Sequence, residues 1–328
     1  MTKIFHLMAL GMVGLMLQAC GIPQLTIKNE DTHLPDRFKP GLSEQENTAK
    51  VKWKDFFEDP NLLRLIDTAV ANNKEVNMMM QRISVAQNEI QARKGAYLPF
   101  VNFGAGAGGE KPGDYTPEGA VENNLLLPNG QAFPTFVGDY QFGLFSTWEI
   151  DVWKKLRNAK QVAVLEYMAS NEGKNFLVTN LVAEVAHSYY ELLALDNQLE
   201  NLKQNIAIQQ NGLEMVKQLQ LFARTTTLAV KRYEAEVAKN QSKKYEIMQQ
   251  ITVTENRINF LLGRTPRPIQ RASTGFMDIK PKLIKAGIPS QLLQNRPDIR
   301  KAELELSAAK LNIEVARANF YPSFGITA

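Results

Sequence analysis

Leu181-Val182-Ala183-Glu184-Val185-Ala186-His187-Ser188-Tyr189-Tyr190-Glu191-Leu192-Leu193-Ala194-Leu195 lies inside a helical stretch, from about Lys154 to Gly263, that organises the chain. Counting in sevens gives Val178, Val185, Leu192, Leu199, Ile206 and Leu213, all apolar. Three residues beyond each stand Leu181, Leu195, Leu202 and Val216, with Ser188 and Gln209 as polar exceptions. Heptads of this kind predict a helix that packs along a partner helix. A second run, Leu228 to Leu262, repeats the count as Val230, Val237, Lys244, Ile251 and Ile258. Between the runs, Ala223-Arg224-Thr225-Thr226-Thr227 is β-branched and rich in hydroxyls, so it is a poor helix segment. The expectation is a long antiparallel helical hairpin over 153–263 with its tip near 223–228. At ~1.5 Å per residue, its first arm would be on the order of 100 Å long.

The 328 residues are 44% hydrophobic and 22% charged, an ordinary balance for a folded chain. Net charge is +4 with both signs interspersed, so no stripe for nucleic acid is indicated. Met1-Thr2-Lys3 followed by apolar Ile4 to Leu17 has the form of an export signal, expected over 1–19. That run is shorter than the ~20 residues of a membrane span. It ends Leu17-Gln18-Ala19-Cys20-Gly21, which resembles a bacterial lipobox with Cys20 as the lipid attachment site. The chain's one cysteine leaves no intrachain disulfide framework. Gly21 after the Cys resembles lipoproteins sent to the outer membrane.

Residues 20–60 are polar and punctuated by Pro23, Pro35 and Pro40, and are expected to form a lipidated extended tether. Asp59-Pro60-Asn61 opens a helix that Asn72-Asn73 breaks, and a second helix follows from about Lys74 to Ala96; both belong to a helical segment expected over 61–96. After Tyr97-Leu98-Pro99 the pattern becomes extended, and a β-hairpin is expected over 97–152. Phe100 to Gly108 is its first strand, and Gly109 to Gly138 reads as a long loop. In the second strand Tyr140, Phe142, Leu144, Trp148, Ile150 and Val152 share one face, with Phe145 and Ser146 breaking the alternation. That apolar face suits either a soluble hairpin packed on helices or lipid-facing barrel strands. Trp148 and Trp153 suit either interfacial anchoring or core packing. Residues 264–294 read as a connector, 295–319 as a helix and 320–328 as the start of a third strand.

The last segment copies an early one. With Pro322 aligned on Pro99, an offset of 322 − 99 = 223, Asn295 matches Asn72, Ser307 matches Ser84, Ala309 matches Ala86 and Ile313 matches Ile90. Duplication predicts a second hairpin and a second long helical pair beyond residue 328. The sequence is therefore expected to be a fragment of a longer protein, unable by itself to assemble a conducting barrel; planar-bilayer recordings would check this.

Four stretches carry a family resemblance: the lipobox at Cys20, Trp53 to Leu62 (WKDFFEDPNL), Ser146 to Trp153 (STWEIDVW) and Ala286 to Ile299 (AGIPSQLLQNRPDI). Together they resemble the lipoprotein branch of the TolC-type outer membrane efflux family. That resemblance implies a mainly α fold with a small β part, in which the helical hairpin is an element of an α-barrel. It further implies a homotrimer whose protomers each give strands to one shared transmembrane β-barrel. In function it implies a passive exit duct in the outer membrane, extending into the periplasm, for drugs or other small compounds. The implied partners are a periplasmic adaptor, an inner-membrane pump and outer-membrane lipid. Leu262-Gly263-Arg264-Thr265-Pro266 resembles the family's Leu-Gly-Arg-Pro-Pro. At the tip the family usually has Gly near Ala223; its loss removes an easy left-handed position. The resemblance makes Ala223, Arg224, Thr225, Thr226 and Thr227 the candidate adaptor-docking tip.

No catalytic constellation, cofactor motif or metal-ligand spacing is present in the sequence. His6, His33 and His187 are far apart, and Glu184, Glu191, Asp196 and Glu200 read as a solvated helix face or, in a duct, as a lumen lining. An enzyme is not expected. The competing reading is a structural coiled-coil outer-membrane lipoprotein without channel activity.

Overall fold

The computed structural model describes residues 33–35, 47–272, 275–280, 282, 284–285 and 287–328, without the side chain of Leu292. The export signal expected at 1–19 and Cys20 lie outside the described residues. In chain order the elements are α1 (Trp53–Phe56), α2 (Pro60–Asn72), α3 (Lys74–Ala96), β1 (Phe100–Glu110), α4 (Pro117–Glu122), β2 (Val137–Ile150), α5 (Lys155–Leu221), α6 (Thr227–Leu261), α7 (Ser290–Asn295), α8 (Pro297–Ala318) and β3 (Phe324–Thr327). Among the described residues no helix is long and apolar enough to cross a membrane. Two compact units emerge: one holds Asn88–Val164 and Ala308–Ala328, the other Leu165–Ser307 with the described residues up to Gln87.

The second unit contains the core. Asp59 caps α2 by accepting from the Asn61 amide at 2.8 Å, and Pro60 occupies the first turn, where no amide partner is needed. Leu62, Leu65, Ile66 and Ala69, spaced on one helical face, are buried against Val182, Val185, Tyr189 and Leu192 of α5 and Ile258 and Leu261 of α6. Each large aliphatic side chain placed there contributes about 1.5–3 kcal/mol of burial. Tyr189 is fully buried and donates its hydroxyl proton to Asp59 Oδ2 at 2.5 Å, which ties the start of α2 to α5. Burial, followed by that bond, raises the Tyr189 pKa, so the phenol stays neutral.

The break between α2 and α3 is built by one side chain. Asn73 Oδ1 accepts from the amides of Glu75 and Val76, capping α3, while Nδ2 donates to the Leu261 carbonyl at 2.9 Å, an orphan at the end of α6. Next to it Gly263 has φ +65°, and a Cβ there would lie 2.6 Å from the Asn72 carbonyl oxygen. Glycine is required at this position both for conformation and for space.

Along α5 and α6 the heptad positions meet. Val185, Ser188, Leu192, Leu195 and Ile206 of α5 are buried, as are Val230, Val237, Ile247, Thr254, Ile258 and Leu261 of α6. The polar exception Gln209 is not left unmatched: Asn240 Nδ2 donates to its Oε1 at 2.8 Å. Beyond α6, Arg271 reaches both arms of the hairpin, bonding Asp196 through Nε and Nη2 and Glu255 through Nη1. These bonds, that to Asp196 foremost, raise the Arg271 pKa despite its burial. The other carboxylates of the expected solvated face also differ in their contacts. Glu184 pairs with Arg257 at 2.8 Å, Glu200 lies 3.6 Å from Lys203 and Glu191 is exposed.

Three expectations need correction. The tether expected over 20–60 includes the helical turn α1, because Trp53 and Phe57 pack against the core and give that end of the segment an apolar anchor. The Thr48 amide also donates to the Lys285 carbonyl at 3.1 Å. Inside the loop between β1 and β2, Thr116 accepts from the Gly119 amide and starts α4. Pro297 restarts the chain after Asn295, so the expected connector, 264–294, carries the separate short helix α7 over Ser290–Asn295.

The duplication is visible in the backbone. At the offset of 223, Asn72 and Asn295 both end short helices, and Lys74 and Pro297 both begin the long ones.

Arg271 yields a stability prediction. Replacing it with Gln strands two partly buried carboxylates, at 17% and 21% exposure. Urea unfolding of Arg271→Gln is expected to show a loss of about 2–3 kcal/mol, against less than ~1 kcal/mol for Arg93→Gln, whose pair is exposed.

Candidate functional site

Two features are candidates, one in each unit. In the first unit β1, β2 and β3 form an antiparallel sheet in that order. Phe103 faces Leu144, Ala105 faces Phe142 and Ala107 faces Tyr140; on the other side Ile326 faces Trp148 and Phe324 faces Ile150. Directly paired residues share a face. One face therefore carries Val101, Phe103, Ala105, Ala107, Tyr140, Phe142, Leu144, Trp148, Ile150, Phe324 and Ile326, with Ser146 as its one polar member. The other carries Asn102, Glu110, Asp139, Gln141, Thr147, Glu149, Thr327 and most of the glycines, with Phe100, Val137 and Phe145 as its apolar members.

Among the described residues nothing covers the apolar face. Phe142 is 81% exposed, Tyr140 79%, and Phe103 and Leu144 70% each. A contiguous apolar face left open is unusual for a water-soluble monomer and marks a surface made for another apolar medium or chain. Phe145, which broke the alternation, points to the polar face and lies over Gly104, where a Cβ would come 2.6 Å from its ring. Its exposure falls to 44% there, so a local hollow explains the exception.

The Trp residues close the ends of this sheet. Trp148 Nε1 donates to the Tyr97 carbonyl at 3.0 Å, and Trp153 Nε1 to the Pro322 carbonyl at 2.9 Å. Trp153 also stacks on Tyr321 with ring centroids 4.6 Å apart. Each indole thus fastens one of the two duplicated aromatic–proline turns. Asp151 then starts α5 by accepting from the amides of Leu156 and Arg157.

The second candidate is the hairpin tip, in the other unit. α5 ends with Ala223 in the left-handed conformation, φ +53°. The Arg224 amide donates to the Leu219 carbonyl and the Ala223 amide to the Gln220 carbonyl, each at 2.9 Å, the paired bonds of a Schellman turn. The chain keeps this turn although Ala replaces the usual Gly. Thr226 caps α6 by accepting from the Ala229 amide, and Gln220 Nε2 donates to Thr227 Oγ1 at 2.9 Å across the turn. Arg224 is exposed and Thr225 half-buried. Leu221, Phe222 and Leu228 flank the turn, 77%, 74% and 70% exposed. The expected tip residues are brought together here, but they make a polar cap with apolar shoulders. Leu221 and Phe222 escaped the sequence reading because they sit at the end of a helix already rich in apolar residues.

His187 is exposed on α5, and the described residues hold no cluster of His, Cys, Asp or Glu suited to a metal ion.

The sequence matches the family described as outer membrane efflux protein over residues 65–264 and 288–328. The chain belongs to that family. It is 29% identical over 285 residues to the toluene efflux pump outer membrane protein TtgF of Pseudomonas putida, covering 87% of this chain and 56% of the relative. It is 26% identical over 289 residues to the probable outer membrane lipoprotein SilC of Salmonella typhimurium, covering 88% of this chain and 58% of the relative. The chain thus spans little more than half the length of these relatives. Among solved structures, the open state of the MtrE outer membrane channel of Neisseria gonorrhoeae superposes with a TM-score of 0.75 at 21% identity. That match covers 94% of this chain and 65% of the other. CusC superposes at 0.72 with 23% identity, covering 90% and 65%. These likenesses establish a mainly helical fold with a small sheet.

The left-handed Ala costs roughly 1 kcal/mol relative to Gly. Ala223→Gly is expected to slow amide hydrogen exchange at Ala223 and Arg224 by about fivefold, while leaving exchange at Gly263 and Arg264 unchanged.

Proposed function

We propose that the protein serves as the outer-membrane exit duct of a tripartite efflux system, passively conducting drugs or other small exported compounds. The observation that carries this reading is the open apolar face of the β1–β2–β3 sheet, backed on its other side by Asp139, Gln141, Thr147 and Glu149. A strand with apolar residues on one face and polar residues on the other fits a barrel wall between lipid and a watery lumen. Open sheet edges are not tolerated in hydrocarbon, so the barrel takes further strands from other protomers, in a homotrimer. The helical hairpin then forms part of a hollow α-barrel in the periplasm. The tip at Ala223–Thr227, with its apolar shoulders, docks the periplasmic adaptor, through which an inner-membrane pump is engaged. Cys20 carries the lipid that anchors the leading segment at the membrane. The names of relatives support the assignment: TtgF is named a toluene efflux pump outer membrane protein, and SilC a probable outer membrane lipoprotein.

Because Cys20 is the only cysteine, the strands can be probed one at a time. Fluorophores on Leu144→Cys and Phe142→Cys, in protein from outer-membrane fractions, are expected to be quenched by lipid-dissolved quenchers. A fluorophore on Gln141→Cys should respond to iodide in water instead. Equal aqueous quenching at all three positions would sink the barrel assignment in favour of a soluble sheet in a coiled-coil lipoprotein. Leu144→Arg is expected to cost about 2–4 kcal/mol of insertion if the position is near the bilayer midplane, with loss of the detergent-resistant trimer. Palmitate labelling, abolished by Cys20→Ser, checks the anchor.

A further inference from the structure

A cavity of about 360 Å³ lies between α2 and the segment that follows α6, within the second unit. Asn61, Arg64, Thr68, Arg264, Arg267 and Gln270 line it, and no carboxylate does. Its volume sits at the lower end of the ~300–1,000 Å³ range of small-ligand sites. Other arginines packed in this unit face carboxylates: Arg257 has Glu184, Arg271 has Asp196 and Glu255, Arg300 has Glu172. Here three guanidiniums share one hollow, and among the described residues none of them forms an ion pair.

The arrangement is built. Asn259, 1% exposed, uses Oδ1 to accept from Arg264 Nε at 2.7 Å and Nδ2 to donate to the Arg267 carbonyl at 2.7 Å. One buried amide therefore sets both the side chain of Arg264 and the backbone of Arg267. Arg64 is steadied on the facing helix by Asn61, whose Oδ1 accepts from Nη2 at 2.6 Å. After these bonds Arg264 keeps both Nη groups, Arg64 keeps Nε and Nη1, and Arg267 keeps its whole guanidinium for a ligand. Burial, and then the positive charge of Arg267, lower the Arg264 pKa, as like charges without a counterion do.

We propose that this cavity binds a phosphate group, as inorganic phosphate or on a small phosphomonoester. A phosphate dianion matches the charge of three cations better than a single carboxylate does. Its tetrahedral oxygens take donors from several directions, whereas a flat carboxylate suits one guanidinium fork. Thr68, whose hydroxyl otherwise donates to the Arg64 carbonyl at 2.7 Å, and Gln270 complete a polar rim. Bound there, the anion would clamp α2 to the segment leaving α6, beside the Asn73–Leu261 junction. This site goes beyond the duct reading and does not depend on conduction.

The test is calorimetric titration of inorganic phosphate into the full chain in detergent micelles, at constant ionic strength in chloride. Saturable binding at one site per chain is expected, with affinity falling at least tenfold in both Arg64→Gln and Arg267→Gln. Both side chains are exposed, and folding of each variant is checked by its unfolding midpoint. Arg257→Gln, outside the cavity, should bind as the parent does. Glycerol phosphate binding more tightly than phosphate would support an ester ligand; binding of phosphate alone would support the free ion. Absence of saturable heat, parent-like affinity in either cavity variant, or malonate binding as tightly as phosphate would overturn the proposal.

Discussion

A helix of 67 residues cannot be held by local propensity, and the seam between α5 and α6 is what this structure depends on. Each heptad contributes apolar area at two depths, and the two arms stay in register only if the larger and smaller residues mesh all the way along. The polar pair Gln209–Asn240 sharpens that condition. Slide one arm by a turn and this amide–amide bond is lost. A polar pair at a single level specifies register at a small cost in stability, whereas a wholly apolar seam is more tolerant of slippage. Arg271 repeats the device near the other end of α6 by holding one carboxylate from each arm.

Much of this was legible because helical periodicity is a long signal. Heptads over many turns are not produced by chance, and the one-sided pattern of β2 and the shared helix-to-strand pattern at an offset of 223 survive into the backbone. What escaped reading depended on partners distant in sequence. Trp53 and Phe57 stand in the stretch Trp53 to Leu62 that carries the resemblance, but only the core formed by α2, α5 and α6 gives them a destination. The face of β1 was hidden because Ala105 and Ala107 look no different from the glycines around them; pairing with Phe142 and Tyr140 reveals their side. Phe145 seemed to contradict the strand. Its ring occupies the space left by Gly104 on the neighbouring strand, a relation no single-strand pattern contains.

The candidate sites were legible to different degrees for a related reason. The hairpin tip is local: a helix end, a poor helix segment and a new cap lie within a few residues, so sequence locates it. The arginine cavity is non-local, because Arg64 and Arg264 are 200 residues apart in the chain and meet through the packing of α2 on the end of α6. In the sequence Arg264 was noticed as part of a glycine-containing turn motif, not as a ligand-facing charge.

The turn after α6 is also a Schellman turn, with the Arg264 amide donating to the Asn259 carbonyl at 3.1 Å and the Gly263 amide to the Phe260 carbonyl at 2.9 Å. The same backbone geometry is thus held under two different constraints. After α6, Gly263 cannot be replaced without a Cβ driven against the Asn72 carbonyl, because α2 and α3 pass close by. After α5, Ala223 takes the same left-handed conformation with its side chain exposed, so the cost is conformational alone. A cost of that size is tolerable because the seam below the turn, the cap from Thr226 and the Gln220–Thr227 bond all favour closing the hairpin at this residue. The turn after α6 is therefore fixed by packing, while the tip is fixed by the ends of two helices. Substitutions at Ala223 have freedom to alter the surface of the tip without disturbing the core.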